Sequence, residues 1–159
     1  MRFLPIISVA AAVVVFAASC TDSEAETAKN IITAIQNTAD ELGRSGGSGC
    51  EIKFPASSHY RVVYFYPYTS FDDMKLEAPV KRELKAIAFA VEKPLFAVIG
   101  RDKVLAYGEV KLSLEPSRTM PMMWPPLEPS QTMPMVWPPQ DGAIRIGFRK
   151  KPDGRYILY

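Results

Sequence analysis

Residues 21–42 carry apolar side chains at alternating spacings of three and four positions. This is the spacing of a helix with one apolar face, and Ile31 widens that face. Ser23 followed by Glu26 matches the capping box of a helix N-terminus. We therefore predict an amphipathic helix that packs onto its own domain, in preference to a free-standing coiled coil. The apolar positions are Ala25, Ala28, Ile32, Ile35, Ala39 and Leu42.

Two segments of different composition follow this helix, first a linker and then strands. Residues 43–49 contain only Gly, Ser and one Arg, a composition typical of a flexible linker. Residues 50–54 and 60–66 then have the composition of strands, and apolar side chains occupy both faces of the second. A strand that is apolar on both faces is expected at the centre of a sheet.

The pattern of residues 77–93 fits two structures. Pro79 near its start and the spacing of Val80, Leu84 and Val91 favour a helix. Alternation of large apolar residues with alanine within the same segment favours a strand. We predict a helix here.

Two hairpins are predicted in the second half of the chain. Residues 95–99 and 103–114 flank a Gly-Arg-Asp turn, and residues 143–149 and 155–159 flank Lys-Pro-Asp-Gly. With the two earlier strands, they predict an antiparallel sheet of five to seven strands. The predicted fold class is therefore α+β: an N-terminal amphipathic helix, then a mainly antiparallel β-sheet domain with a duplicated loop rich in Pro, Met and Trp.

The duplicated loop is a tandem repeat between the two hairpins. Residues 114–126 are followed directly by a second copy, residues 127–139, which differs at two positions. The copies hold 8 of the 14 prolines, 5 of the 7 methionines and both tryptophans. Because proline lacks an amide donor, we predict an extended segment that stays out of the sheet.

Three hypotheses account for the Trp and Met side chains of the repeat. The first is that the loop folds back and these side chains cover the sheet. The second is that the stiff segment binds a protein partner through residues 114–139, with Trp124 and Trp137 as anchors.

The third hypothesis is a soft-metal site, since thioethers select Cu(I) or Ag(I) over harder ions. Each copy contains a Met-x-Met pair followed by Trp, and the only histidine, His59, could complete a site. The arrangement resembles in kind the Met, Trp and His site of the periplasmic copper and silver metallochaperones. That resemblance implies a Cu(I) cofactor. The candidate ligands are Met120, Met122, Met133, Met135 and His59.

The first 20 residues have the layout of an export signal: one positive charge, an apolar stretch, then small residues before Cys20. Ala17, Ala18, Ser19 and Cys20 resemble the lipobox of bacterial lipoproteins. In that family the cysteine thiol receives a diacylglyceryl group before the signal is removed. The resemblance implies lipidation at Cys20, a membrane as partner through this anchor, and a location in the cell envelope that faces the periplasm or the exterior.

Two alternatives for Cys20 stay open. Ala17 and Ser19 also satisfy ordinary signal peptidase, which would release a secreted protein in which Cys20 can form a disulfide with Cys50. The apolar stretch could also remain as an uncleaved anchor. The predicted organisation is a signal peptide over residues 1–19, a lipid-anchored helix and linker over residues 20–49, and an α+β domain over residues 50–159.

Composition adds little to the functional assignment. The length of 159 residues implies one domain. The formal charge of only +2 implies no nucleic-acid partner. There is no phosphate-binding loop, dinucleotide fingerprint or zinc pattern, so we predict no catalytic residues and no enzyme. The sequence favours an exported structural or protein-interaction module, with a soft-metal binding protein and a disulfide-bonded secreted protein as alternatives.

Overall fold

The computed structural model describes residues 24–57, 59–116 and 134–159. In these residues two helices accompany two four-stranded sheets, which confirms the α+β class. The elements are α1 (Glu24–Ser45), β1 (Gly49–Pro55), β2 (Arg61–Phe65), α2 (Ala78–Ala90), β3 (Leu95–Ile99), β4 (Val104–Glu109), β5 (Leu114–Pro116), β6 (Met135–Trp137), β7 (Ala143–Lys150) and β8 (Tyr156–Leu158).

The strands form two sheets where one was predicted. The first sheet has the order β1-β7-β8-β5 and the second has the order β4-β3-β2-β6. All pairs are antiparallel except β5 with β8. Both predicted hairpins are present, as β3–β4 and β7–β8. The predicted strand over residues 103–114 is divided, since β4 ends at Glu109 and the chain then crosses to the first sheet as β5.

Helix α1 packs onto its own domain, as predicted. Its buried side chains belong to one core with strands of both sheets, including Phe54 of β1, Phe96 of β3 and Phe148 of β7. The contact with β4 is close, because a Cβ atom on Gly108 would lie 2.7 Å from Ile32 Cγ2. The buried residues of α1 are Ala28, Ile31, Ile32, Ile35, Ala39 and Leu42.

The connection after α1 differs from the flexible linker predicted over residues 43–49. The helix continues to Ser45, and Gly46 ends it with a positive φ of 65° while its amide donates to Leu42 O at 2.9 Å. The Tyr156 hydroxyl donates to Gly47 O at 2.7 Å, and Lys150 Nζ donates to Gly46 O at 3.0 Å. These bonds tie the glycine-rich segment to the first sheet.

Helix α2 confirms the helical prediction for the ambiguous segment. It buries Val80, Leu84 and Ala88 in a second core, on the face of the second sheet opposite α1. Strands β2 and β3 therefore lie between two helices, which explains why both faces of β2 are apolar. In the described part of the chain neither helix is long and apolar enough to cross a bilayer.

The two ends of the tandem repeat enter the sheets, so the prediction that proline would keep them out is wrong. Strand β5 opens the first copy and β6 lies near the end of the second, each at a sheet edge. Edge strands tolerate proline because one side of the strand needs no donor. In β6 the prolines flank the three paired residues and do not interrupt them. Residues 117–133 of the repeat lie outside the described residues.

Candidate functional site

Trp137, a predicted partner anchor, lies in the main core. It is 8% exposed, its ring centroid is 5.9 Å from that of Phe96, and its Nε1 donates to Tyr159 O at 3.2 Å. A partner could reach this indole only if β6 left the sheet. At this position the geometry matches the hypothesis that the repeat covers the sheet. Trp124, the other predicted anchor, is outside the described residues.

Met135 and His59, two of the proposed metal ligands, are not brought together. Met135 is 7% exposed and aligns with Tyr64 inside the core, whereas His59 is exposed before the start of β2. From Arg61 to Tyr64 alone, a strand rises about 10 Å. His59 Nδ1 instead lies 3.4 Å from Arg101 Nη2. The remaining proposed ligands, Met120, Met122 and Met133, lie outside the described residues, as does the lipidation candidate Cys20.

Cys50, the other cysteine, is a free, half-buried thiol on β1. It aligns with Phe148 and packs against the main core. Burial raises the pKa of this thiol, which keeps it protonated and lowers its reactivity. Nothing in this environment activates Cys50 as a nucleophile.

The basic residues near the C-terminus are largely paired within the domain. Lys151 Nζ lies 2.9 Å from Glu115 Oε2, Arg155 contacts both Glu115 and Asp153, and Arg145 Nη1 lies 3.4 Å from Glu51 Oε1. The hydrogen bond from Lys151 lowers the pKa of Glu115, and the one from Arg155 lowers the pKa of Asp153. These charges stabilise the β7–β8 turn and its contact with β5.

Sequence analysis did not predict the contacts that hold Tyr159 to the first sheet. The amide and the carbonyl of Tyr159 both bond to Gly147 at 3.0 Å, and the Tyr159 ring covers Gly147. A Cβ atom on Gly147 would collide with that ring. The guanidinium of Arg149 lies 5.0 Å from the ring centroid on the same outer face of the first sheet. The sequence feature that could have indicated this contact is a glycine between apolar residues of a strand, which often marks the close approach of another group.

An open groove of about 460 Å³ runs along the free edge of β4, between the two helices. Its floor is apolar, and Lys29 of α1 and Glu83 of α2 stand on its two sides. Side chains cover both ends of the strand edge: Val104 N donates to Glu83 Oε2 at 2.7 Å, and Gln36 Nε2 donates to Glu109 O at 2.8 Å. Such cover protects an edge from adding another strand.

The outer face of α2 presents the most distinctive exposed side chains of the described residues. Arg82, Lys85 and Phe89 follow one another at helical spacing, opposite the buried face. Phe89 is 60% exposed, and its ring meets that of Tyr68, 67% exposed, edge to face at 5.5 Å. We call these four side chains the α2 surface.

Tyr68 is held in this place by an unfavourable backbone conformation. Its φ is 61°, a region that bulky L-residues rarely adopt. Its amide donates to Ala88 O at 3.0 Å, and the neighbouring Thr69 side chain, which is buried, accepts from Tyr66 N at 3.2 Å. The loop thus fixes a large aromatic ring on the outside of the protein at a cost in backbone energy.

Comparison with known proteins finds no family model, no curated protein and no solved structure that matches this chain. In the described residues no three His, Cys, Asp or Glu side chains come together in a way that could hold a metal ion. Among the described residues, the α2 surface is the feature that packing alone does not explain.

Proposed function

We propose that this protein is exported and held to a membrane of the cell envelope by a lipid on Cys20, where its α+β domain serves as a structural or protein-interaction module. The observation that carries the proposal is the apolar stretch that ends in Ala17, Ala18, Ser19 and Cys20. In this proposal residues 1–19 are removed and the domain faces the periplasm or the exterior.

The position of α1 supports an anchor directly before the domain. The helix is already formed at Glu24, the first residue that the structure describes, and Glu24 lies four positions after Cys20. Its buried face starts at Ala28, one turn further on. A lipid on Cys20 would therefore hold a folded domain close to the bilayer, without a long tether.

The alternative is an ordinary secreted protein in which Cys20 forms a disulfide with Cys50. A lipid on the Cys20 thiol excludes this disulfide, so the two proposals predict different states of both cysteines.

The two cysteines supply a matched experiment for the anchor. Cells that produce the full chain are grown with radiolabelled fatty acid and then fractionated. We expect the label and membrane association to be lost in Cys20→Ser and retained in Cys50→Ser. Label or membrane association that persists in Cys20→Ser would overturn the proposal of an anchor at this residue.

The interaction role is assigned to residues 114–139, with Trp124 as the anchor. The core contains Trp137 of the second copy, so the first copy supplies a further tryptophan that the described core does not include. A photo-crosslinking residue at position 124 is expected to give a defined adduct in the envelope, and one at position 53, on the outer face of β1, is expected to give none. Equal adducts at both positions would contradict this role.

A further inference from the structure

The α2 surface carries positive charge that its own domain does not neutralise. Helix α2 has three bases and a single acid, Glu83, which turns toward β4 and binds Val104 N. In the part of the chain that the structure describes, the recorded ion pairs involve neither Arg82 nor Lys85. A stripe of unpaired bases attracts an anionic surface.

Two exposed aromatic rings stand beside these bases. Tyr68 and Phe89 form the edge-to-face pair described above, and the strained backbone of Tyr68 keeps its ring outside the core. Aromatic rings are enriched at the level of lipid headgroups, where Lys and Arg side chains are attracted to anionic lipids. Tyrosine suits this position because its ring is apolar and its hydroxyl can stay in water.

The proposed anchor places this surface near a membrane. Lys29 of α1 and Glu83 of α2 line the same groove at the edge of β4, although the two helices pack on opposite faces of the second sheet. Glu24 is about 7.5 Å along the helix axis from Lys29, and Cys20 lies at most about 14 Å beyond Glu24. A lipid on Cys20 would therefore keep the domain close to a bilayer, where its exposed surfaces can meet lipid headgroups.

We propose that the α2 surface binds the headgroup region of a bilayer that contains anionic phospholipid, so that the anchored domain lies against the membrane in one orientation. Arg82 and Lys85 contact lipid phosphates, and the rings of Tyr68 and Phe89 enter the interface. This inference rests on the proposed anchor for its geometry. The binding itself depends on the α2 surface alone, so it can be tested without the lipid.

The first experiment measures sedimentation of the unlipidated mature chain, residues 20–159 with Cys20→Ser, with vesicles. This chain contains every residue of both described cores. We expect binding to vesicles of equal parts phosphatidylcholine and phosphatidylglycerol, and weak binding to phosphatidylcholine alone. The double variant R82E/K85E is expected to bind the mixed vesicles roughly tenfold or more weakly, since each base near an anionic surface contributes several-fold.

The aromatic pair is tested with Tyr68→Gly and Phe89→Ala. Glycine suits the positive φ at position 68, and alanine favours the helix at the exposed position 89, so both variants are expected to fold. We expect each to weaken vesicle binding several-fold, with an effect that high salt does not remove. The matched controls are K53E/K111E, which makes the same charge change elsewhere, and Tyr159→Ala, which removes an exposed ring from the first sheet.

A second measurement uses the lipidated protein. In a Cys50→Ser background, a fluorophore at Phe89→Cys is expected to be shielded from iodide when the protein is on mixed vesicles, while one at Lys53→Cys stays accessible. The inference is overturned if the unlipidated chain does not bind mixed vesicles, if the control variants lose binding equally, or if both fluorophores are equally quenched. If vesicle binding fails but Cys20 still carries the fatty-acid label, only the membrane role of the α2 surface is refuted. If the label is absent but the chain binds vesicles, only the lipid anchor is refuted.

Discussion

Deletion of the second repeat copy is expected to leave the fold intact even though it removes Trp137 from the core. Without residues 127–139, Trp124 is followed by Pro-Pro and then Gln140, as Trp137 is in the full chain. Met122 and Met123 then occupy the places of Met135 and Val136. Strand β5 is unchanged, and the five residues left between it and the new β6 can still connect the sheets.

The expected energies follow from burial and loop length. The connection between β5 and β6 shortens from 18 residues to 5, which lowers the closure cost by about 1 kcal/mol. The exchange of Val136 for Met is a modest volume change at a half-buried site and costs less than about 1.5 kcal/mol. The deletion is therefore expected to change the free energy of unfolding by no more than about 1 kcal/mol.

The decisive comparison is one substitution in two backgrounds. In the full chain Trp124→Ala is expected to be neutral, because Trp137 fills the core. In the deletion variant the same substitution is expected to cost about 3 to 5 kcal/mol, the usual price of truncating a buried aromatic. Urea unfolding of the four mature proteins measures these differences. A deletion that itself costs several kcal/mol, or a Trp124→Ala effect that is equal in both backgrounds, would refute the reasoning.

Other predictions test the packing around the core. Gly108→Val is expected to lower stability by about 1 to 3 kcal/mol, because the valine side chain would meet Ile32 and Gln36 and push α1 off β4. Thermal unfolding measures this effect, and an unchanged midpoint would contradict the close packing of α1 on β4. Gly147→Ala is expected to destabilise the domain, with a smaller effect in a Tyr159→Ala background, because the ring that collides with the new methyl group is then absent. The folded-state pKa values of Glu115 and Asp153 lie below their ordinary values. These two carboxylates therefore stabilise the folded state fully above the ordinary carboxyl pKa, near pH 4. That stabilisation is lost as the pH falls through the lowered pKa values. Glu115→Gln is expected to flatten the stability profile in that window, and an unchanged profile would count against the ion cluster. If the Met-x-Met pairs bind Cu(I), Met135→Leu is expected to leave the stoichiometry of a competitive titration unchanged, because Met135 lies in the core.

Much of the fold could be predicted because its signals are local. The apolar face of α1, the helical spacing in α2 and the turns of the two hairpins each depend on residues close together in the chain. The doubly apolar β2 was correctly expected at the centre of a sheet, since it lies between both helices. In these segments local propensity and tertiary packing favour the same structure.

The errors arose where distant residues decide the outcome. Residues 43–49 have the composition of a linker, but hydrogen bonds from Lys150 and Tyr156, over 100 positions away, fix Gly46 and Gly47. The repeat was expected to avoid the sheets because of its prolines, yet free edges beside β8 and β2 accept short strands from its two ends. Composition does not show where a sheet has a free edge.

The candidate site was harder to predict than the fold. Trp137 was predicted to anchor a partner because it is an aromatic residue in a proline-rich segment. Its burial depends on the pairing of β6 with β2, which the sequence does not show. The α2 surface was missed for the opposite reason. Phe89 follows an ambiguous apolar pattern, and only the helical structure places it outside, next to Tyr68 from a separate loop.

The intact mass of the protein extracted from membranes tests the anchor at Cys20 most directly. The proposal predicts a chain that begins at Cys20, lacks residues 1–19 and carries the added mass of a diacylglyceryl group. Proteolytic peptides should place that mass on Cys20 and leave Cys50 free. A mass equal to the full 159 residues, or a shortened chain without added lipid and with the two cysteines joined, would contradict it.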